Sequence, residues 1–131
     1  MIILDASVLI AFFSNVDVHH TRAVQLLDAH LDDAFAASTI TLAEFYAGPA
    51  RQQQLGTARR LIADLGIAEL GLPGDSAWKL GLLRAQTGLR LPDCCVIHTA
   101  QEHQPAATVA TFDRRLAQEA AALGIRVVDS G

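Results

Sequence analysis

The stretch Met1-Ile2-Ile3-Leu4-Asp5-Ala6-Ser7-Val8-Leu9-Ile10 decides how the chain is read. Ile2, Ile3 and Leu4 form an apolar run without alternation, the pattern of a strand buried on both faces of a parallel sheet. The run stops at a carboxylate and a hydroxyl, and apolar spacing resumes at Val8 in a way that suits a helix starting near Ser7. In an open α/β sheet a strand-to-helix junction of this kind lies at the carboxyl edge, where ligands bind. Asp5 is therefore either a site residue or a cap for the helix that follows.

Working outward, 131 residues are enough for one domain, taken as 1–131, with a core of its own. Hydrophobic residues make up 51% and charged residues 18%, so the placement of each charge carries information. Ten Lys and Arg against fourteen Asp and Glu leave a formal charge of −4, which excludes holding nucleic acid by bulk positive charge. An enzyme with basic residues along one rim stays possible. The two cysteines, Cys94 and Cys95, are adjacent in an apolar helical pattern and read as core rather than as a disulfide or zinc framework. No secretory leader and no membrane-length apolar run is visible, so a cytoplasmic, non-membrane protein is expected.

Down the chain, His19–Leu31 reads as a second helix with Ala23, Leu26, Leu27 and Leu31 on its apolar face. Ala34–Ala37 reads as a second, weak strand. Thr41-Leu42-Ala43-Glu44 has the spacing of a capping box, placing Glu44 in the first turn of a short helix closed by Gly48-Pro49. A helix over Gln52–Leu65 uses Leu55, Leu61 and Ile62 as apolar positions. Ile67–Leu70 is a third strand, and Ala77–Thr87 is a helix ended by Gly88. Asp93 opens the next helix just behind Pro92. Ala107–Thr111 is a fourth strand that breaks at Phe112-Asp113 into a helix ending at Gly124, and Ile125–Val128 is a last strand. The expected fold is a three-layer α/β/α sandwich around a mostly parallel sheet of four to five strands.

Asp5 and Asp113 each stand where a strand gives way to a helix, while Glu44 and Asp93 each stand in an expected first turn. Right-handed crossovers gather such positions on one edge of a parallel sheet. Four carboxylates meeting there repel one another, so either some stay protonated or a cation neutralises them. With no Cys or His cluster at hand, a hard divalent ion, Mg²⁺ or Mn²⁺, is the natural occupant. It would supply an activated water and stabilise charge on a phosphate oxygen. Ser7 and Thr111 are candidate donors that orient the carboxylates, or are ordinary cap and strand hydroxyls. Arg114 and Arg115 follow Asp113 at a helix start, where cations oppose the helix dipole; they read either as phosphate contacts or as a solvated pair.

Ile-Leu-Asp5-Ala-Ser-Val-Leu-Ile, Thr-Leu-Ala-Glu44-Phe-Tyr-Ala-Gly, Leu-Pro-Asp93 and Val-Ala-Thr-Phe-Asp113 occur in that order across the chain. Together they resemble the successive motifs of PIN-domain ribonucleases, and among these the VapC-type toxins of bacterial toxin–antitoxin pairs. The resemblance implies a Mg²⁺- or Mn²⁺-dependent endoribonuclease that hydrolyses RNA phosphodiester bonds. It also implies a homodimer, silenced by a small antitoxin whose tail blocks the acidic pocket. Asp5, Glu44, Asp93 and Asp113 match the family's metal-binding acids. Cys94 and Cys95 stand where a further acid beside Asp93 would be, which puts a second tightly held metal in question.

Other chemistry has little support. His98 and His103 are five apart, off the spacing that puts two side chains on one helix face. No Gly-rich phosphate loop or Gly-x-Ser-x-Gly elbow occurs. Arg51, Arg59, Arg60 and Arg84 or Arg90 could rim the pocket or simply be solvated. Two alternatives remain: a non-catalytic receiver-like regulatory domain, which wants a late lysine where this chain has only Lys79, and a metal-dependent small-substrate phosphohydrolase, for which Ser7 stands where a second Asp is needed.

Overall fold

β1 (Ile2–Leu4) lies at the centre of the sheet, as its uninterrupted apolar run requires. The computed structural model describes residues 1–128, so the last three residues of the expected domain lie outside the described residues. The other strands are β2 (Phe35–Ser38), β3 (Ala68–Leu70), β4 (Thr108–Ala110) and β5 (Arg126–Val127). Their order is β3-β2-β1-β4-β5, every neighbouring pair is parallel, and Ile3 aligns with Ala36 on one side and Val109 on the other. The helices are α1 (Ala6–Phe13), α2 (His20–Ala29), α3 (Thr39–Arg51), α4 (Leu55–Asp64), α5 (Ser76–Thr87), α6 (Leu91–Glu102) and α7 (Arg114–Ala122).

The two-residue period of β1 divides the core between the faces of the sheet. Ile2 and Leu4 pack with Leu9 of α1, Leu27 of α2, Phe45 of α3 and Ile62 of α4. Ile3 points the other way, against Leu83 of α5, Ile97 of α6 and Leu116 of α7. This is the expected α/β/α sandwich. Each such side chain, fully buried, contributes about 1.5–3 kcal/mol through the apolar surface withdrawn from water. Cys94 and Cys95 are buried free thiols in the second cluster, as their apolar setting suggested.

Several sequence expectations shift. Helix α2 stops at Ala29 because residues 30–33 turn on themselves, with the Asp33 N–H donating to the His30 carbonyl at 2.9 Å. Leu31 therefore leaves the apolar face and is 69% exposed. Residues 52–54 do not start α4: Gln53 adopts φ 58, and the helix begins at Leu55, itself 40% exposed. Pro49 does not close α3. It sits in the last turn, where its missing N–H costs a single bond, and its ring is buried.

The correction that matters for the site concerns Glu44. Ser38, not Thr41, caps α3, accepting the Thr41 N–H at 3.0 Å. The helix consequently begins at Thr39, and Glu44 falls in its second turn rather than in a capping box. Asp93 is in the first turn of α6 as expected, but α6 follows α5 rather than a strand.

Candidate active site

In a sheet ordered β3-β2-β1-β4-β5 the chain leaves β1 toward β2 on one side and later returns as β4 on the other. The crevice at the carboxyl ends of β1 and β4 is thus the topological switch point, the usual ligand site of open α/β sheets. Asp5 follows β1 directly, and Asp113, separated from β4 by Thr111 and Phe112, is the N-cap of α7. A pocket of about 240 Å³ opens there, walled by Asp5, Glu44, Asp93 and Asp113 with Ser7 and Arg90 beside them. The four acids named from the sequence therefore share one cavity, although they are spread over more than a hundred residues.

Asp5 is 5% exposed and held at one carboxylate oxygen. Ser7 Oγ donates to Asp5 Oδ2 at 2.7 Å and Thr111 Oγ1 donates to the same atom at 2.8 Å. Both hydroxyls are themselves fixed. Ser7 Oγ accepts the Phe112 N–H at 3.0 Å, and Thr111 Oγ1 accepts the Asp113 N–H at 2.9 Å. The β1–α1 and β4–α7 junctions are thereby tied through the side chains that orient Asp5. Asp113 Oδ1 accepts from the N–H groups of Arg115 and Leu116 at 2.9 and 3.1 Å, so one oxygen caps α7.

Among the described residues, no neighbouring hydroxyl donates in this way to Asp93 or Glu44. Asp93, also 5% exposed, has its carboxyl pushed up to about 6 by burial first, then by Asp5, with Asp113 and Glu44 adding to it and Arg90 opposing. Glu44 is raised by burial and by Asp5, again against Arg90. Arg90 reaches both, Nη2 at 3.8 Å from Glu44 Oε2 and Nε at 3.8 Å from Asp93 Oδ2. At 71% side-chain exposure it is a well-solvated counter-charge at the rim, and its attraction is correspondingly screened.

Among the described residues no three His, Cys, Asp or Glu side chains form a ready-made metal cage. The donor set nonetheless fits a hard cation: the pocket offers carboxylate oxygens, desolvated and mutually repelling, which one partly screened arginine leaves under-neutralised. Mg²⁺ in particular keeps several waters and is held by few carboxylates directly.

Other sequence candidates fall elsewhere. The guanidinium of Arg115 donates from Nη2 to the Thr87 carbonyl at 3.0 Å, fastening α7 to the end of α5. A Cβ on Gly88, whose φ is +69, would come within 2.9 Å of that nitrogen. Arg114 is exposed on a small cleft next to Asp113, with Phe112 and Arg22. The Arg22 guanidinium lies 4.8 Å above the Phe112 ring, an arrangement with no signal in the sequence because it joins α2 to the β4–α7 junction. Lys79 pairs with Asp75 and Glu102 on the α5–α6 surface and does not line the acid pocket, where a receiver-like domain would need its lysine. His98, which the sequence set aside as a ligand, has Nε2 2.8 Å from Ser76 Oγ and Nδ1 3.9 Å from Glu102, partners that its spacing did not reveal. Ser76 and His98 are 4% and 1% exposed, so this Ser–His–Glu set is a pin between α5 and α6 rather than a reaction centre.

An open parallel α/β sheet with an acid-walled cavity at its switch point puts carboxylate oxygens where proteins of this fold class bind their ligands. Within that class the chain belongs to the PIN domain family, whose profile matches residues 2–122. Comparison with curated proteins finds no match. Among solved structures it is similar to a chain of a toxin–antitoxin complex from Klebsiella pneumoniae, with 25% identity, TM-score 0.78 and coverage of 100% of this chain and 98% of that one. It is also similar in fold to VapC20 of Mycobacterium tuberculosis, described as a sarcin–ricin-loop-cleaving toxin (16% identity, TM-score 0.74, 95% and 96% coverage). VapBC2 from Rickettsia felis, solved bound to a fragment of promoter DNA, gives 18% identity, TM-score 0.69 and 97% coverage of both chains.

Proposed function

We propose that the chain is a divalent-metal-dependent endoribonuclease serving as the toxin of a toxin–antitoxin pair. The observation that carries this reading is the convergence of Asp5, Glu44, Asp93 and Asp113 on one 240 Å³ pocket at the switch point of a PIN-family sheet. Asp5, Asp93, Glu44 and Asp113 would hold Mg²⁺ or Mn²⁺. Such an ion supplies, when bound, an activated water and stabilisation of charge on the scissile phosphate.

The chain's own residues do the positioning. Ser7 and Thr111 hold the Asp5 carboxylate in one orientation and keep it from rotating away from the pocket. Asp113 spends one oxygen on the α7 cap and so keeps a fixed direction. Asp93, raised to about 6, is mostly ionised at neutral pH. Arg90 offsets part of the acid charge until a cation does so, and its exposed guanidinium is placed to meet a phosphate at the rim. Arg114 would add a second cationic contact beside Asp113.

The partners follow the same reading. RNA is the substrate, acted on in the cytoplasm. A small antitoxin is the protein partner, a role supported by the similarity to a chain of a toxin–antitoxin complex. The working unit is a homodimer. No described helix is long and apolar enough to cross a membrane.

Cleavage of single-stranded RNA by partner-free protein with Mn²⁺, compared with Asp5→Asn and with added chelator, tests the proposal. Cleavage lost in both controls is expected. RNA left intact by the wild type with Mn²⁺ would overturn it.

A further inference from the structure

A groove between α1 and α3 lies beside the acid pocket, and cleavage chemistry does not account for it. It encloses about 320 Å³ and shares Ile10 and Glu44 with the acid pocket, so the two cavities are neighbours with a common wall. That volume lies at the lower end of ligand-sized clefts, about 300–1,000 Å³. Phe13, half-buried, stands on its wall with its ring edge-on to the buried Phe45, centroids 5.8 Å apart at 82°. Asp17 and Gln52 supply polar groups to the same lining. Asp17 accepts the His19 N–H through Oδ1 at 2.8 Å, which holds its carboxylate in place. Gly48 also lines the groove, and a Cβ built there would meet nothing within 4 Å.

We propose that this groove is a subsite for the unpaired base of the nucleotide next to the scissile phosphate, favouring a base edge rich in N–H donors, guanine first. The inference rests on the ribonuclease reading and deepens it. A phosphodiester in the acid pocket puts the adjoining nucleoside within reach of a cavity that shares two of the pocket's walls. An aromatic face with polar groups beside it is how single-stranded RNA bases are held: the ring stacks and the edge hydrogen-bonds. The carboxylate of Asp17 accepts only, so it matches the adjacent N1–H and N2–H donors of guanine better than the carbonyl-flanked edge of uracil.

Gly48→Leu fills the groove from a position with room for a side chain and leaves the four acids untouched. Asp17→Asn keeps the α2-start hydrogen bond while removing the charge. Two measurements are made on the wild type and both variants. In amide NMR titrations of metal-free protein, guanosine, which brings no phosphate to the acids, is expected to shift Phe13, Gly48 and Gln52 in the wild type, with uridine weaker. Gly48→Leu abolishes those shifts and Asp17→Asn levels the two nucleosides. In cleavage of an unstructured RNA with Mn²⁺, Gly48→Leu is expected to raise KM roughly tenfold, the scale of one stacked base, and to flatten the nucleotide preference. Wild-type protein that takes up guanosine in the groove but cuts no RNA would overturn the ribonuclease reading and, with it, the subsite's place beside a scissile phosphate. Shifts unaffected by Gly48→Leu, or an unchanged cleavage profile in that variant, would overturn the subsite and leave the groove to a protein partner.

Discussion

Asp5 and Asp113 face the same cavity as Asp93 and Glu44 but are held there by different physics. The first pair follows strands and is held by hydrogen bonds, from Ser7 and Thr111 in one case and from the N–H groups at the start of α7 in the other. The second pair rides on helices packed from outside the sheet. Its charges are opposed by burial and by Asp5, and relieved among the described residues by Arg90 at 3.8 Å. One pair is organised before any ligand arrives. The other carries unfavourable charge that a cation would relieve, and sites where local stability is given up in this way are commonly functional.

The largest break in that contrast comes from removing charge without removing shape. Asp5→Asn and Asp93→Asn are each expected to lower RNA cleavage by roughly a thousandfold or more, the several kcal/mol a catalytic metal is worth. Single-turnover cleavage with saturating Mn²⁺ checks this. Asp113→Asn sharpens the point, because asparagine caps a helix about as well as aspartate. Cleavage should fall while thermal stability stays within about 0.5 kcal/mol.

Next come the hydroxyls that steady Asp5. Ser7→Ala or Thr111→Val should cost about 10–100-fold in metal affinity or activity, as loss of a supporting hydrogen bond to a ligand does. Calorimetric Mn²⁺ affinities give the direct readout.

The strained pair makes a prediction about pH. Asp93 binds its proton more tightly in the folded chain, near 6 against an ordinary 3.8. Between those values the folded state carries more protons than the unfolded one, so metal-free protein loses stability as pH rises from about 4 to about 6, by up to about 1.4 kcal/mol per unit. Glu44, raised as well, acts in the same direction. Denaturation in chelator across pH 4–8 should show the decline, and Asp93→Asn should flatten most of it. The smallest effect is expected at Arg90: Arg90→Gln removes a screened counter-charge, raising the Asp93 pKa further by less than about one unit, visible by carboxyl NMR.

The same contrast explains what the sequence made legible. Asp5 and Asp113 could be placed because an apolar run followed by a carboxylate is a local signal, and the parallel topology carries both to one edge. Glu44 was legible as an acid of interest but not in its setting. Thr41 and Glu44 have capping-box spacing, yet Ser38 caps the helix one turn earlier, and nothing local decides between two hydroxyls three residues apart. Pro49 and Gly48 look like a stop until burial of the proline ring is known. Arg115 and Arg90 show the limit most clearly. Both are arginines near acids in sequence, but one is tied to the Thr87 carbonyl and the other bridges Glu44 and Asp93. Long flexible side chains are assigned by tertiary packing, which no spacing encodes.

Calorimetric titration of Mn²⁺ into metal-free wild type, Asp5→Asn and Asp93→Asn at neutral pH tests the shared acid pocket most directly. One saturable site in the wild type, abolished by either substitution, is the predicted result. Binding of equal strength in all three proteins would contradict it.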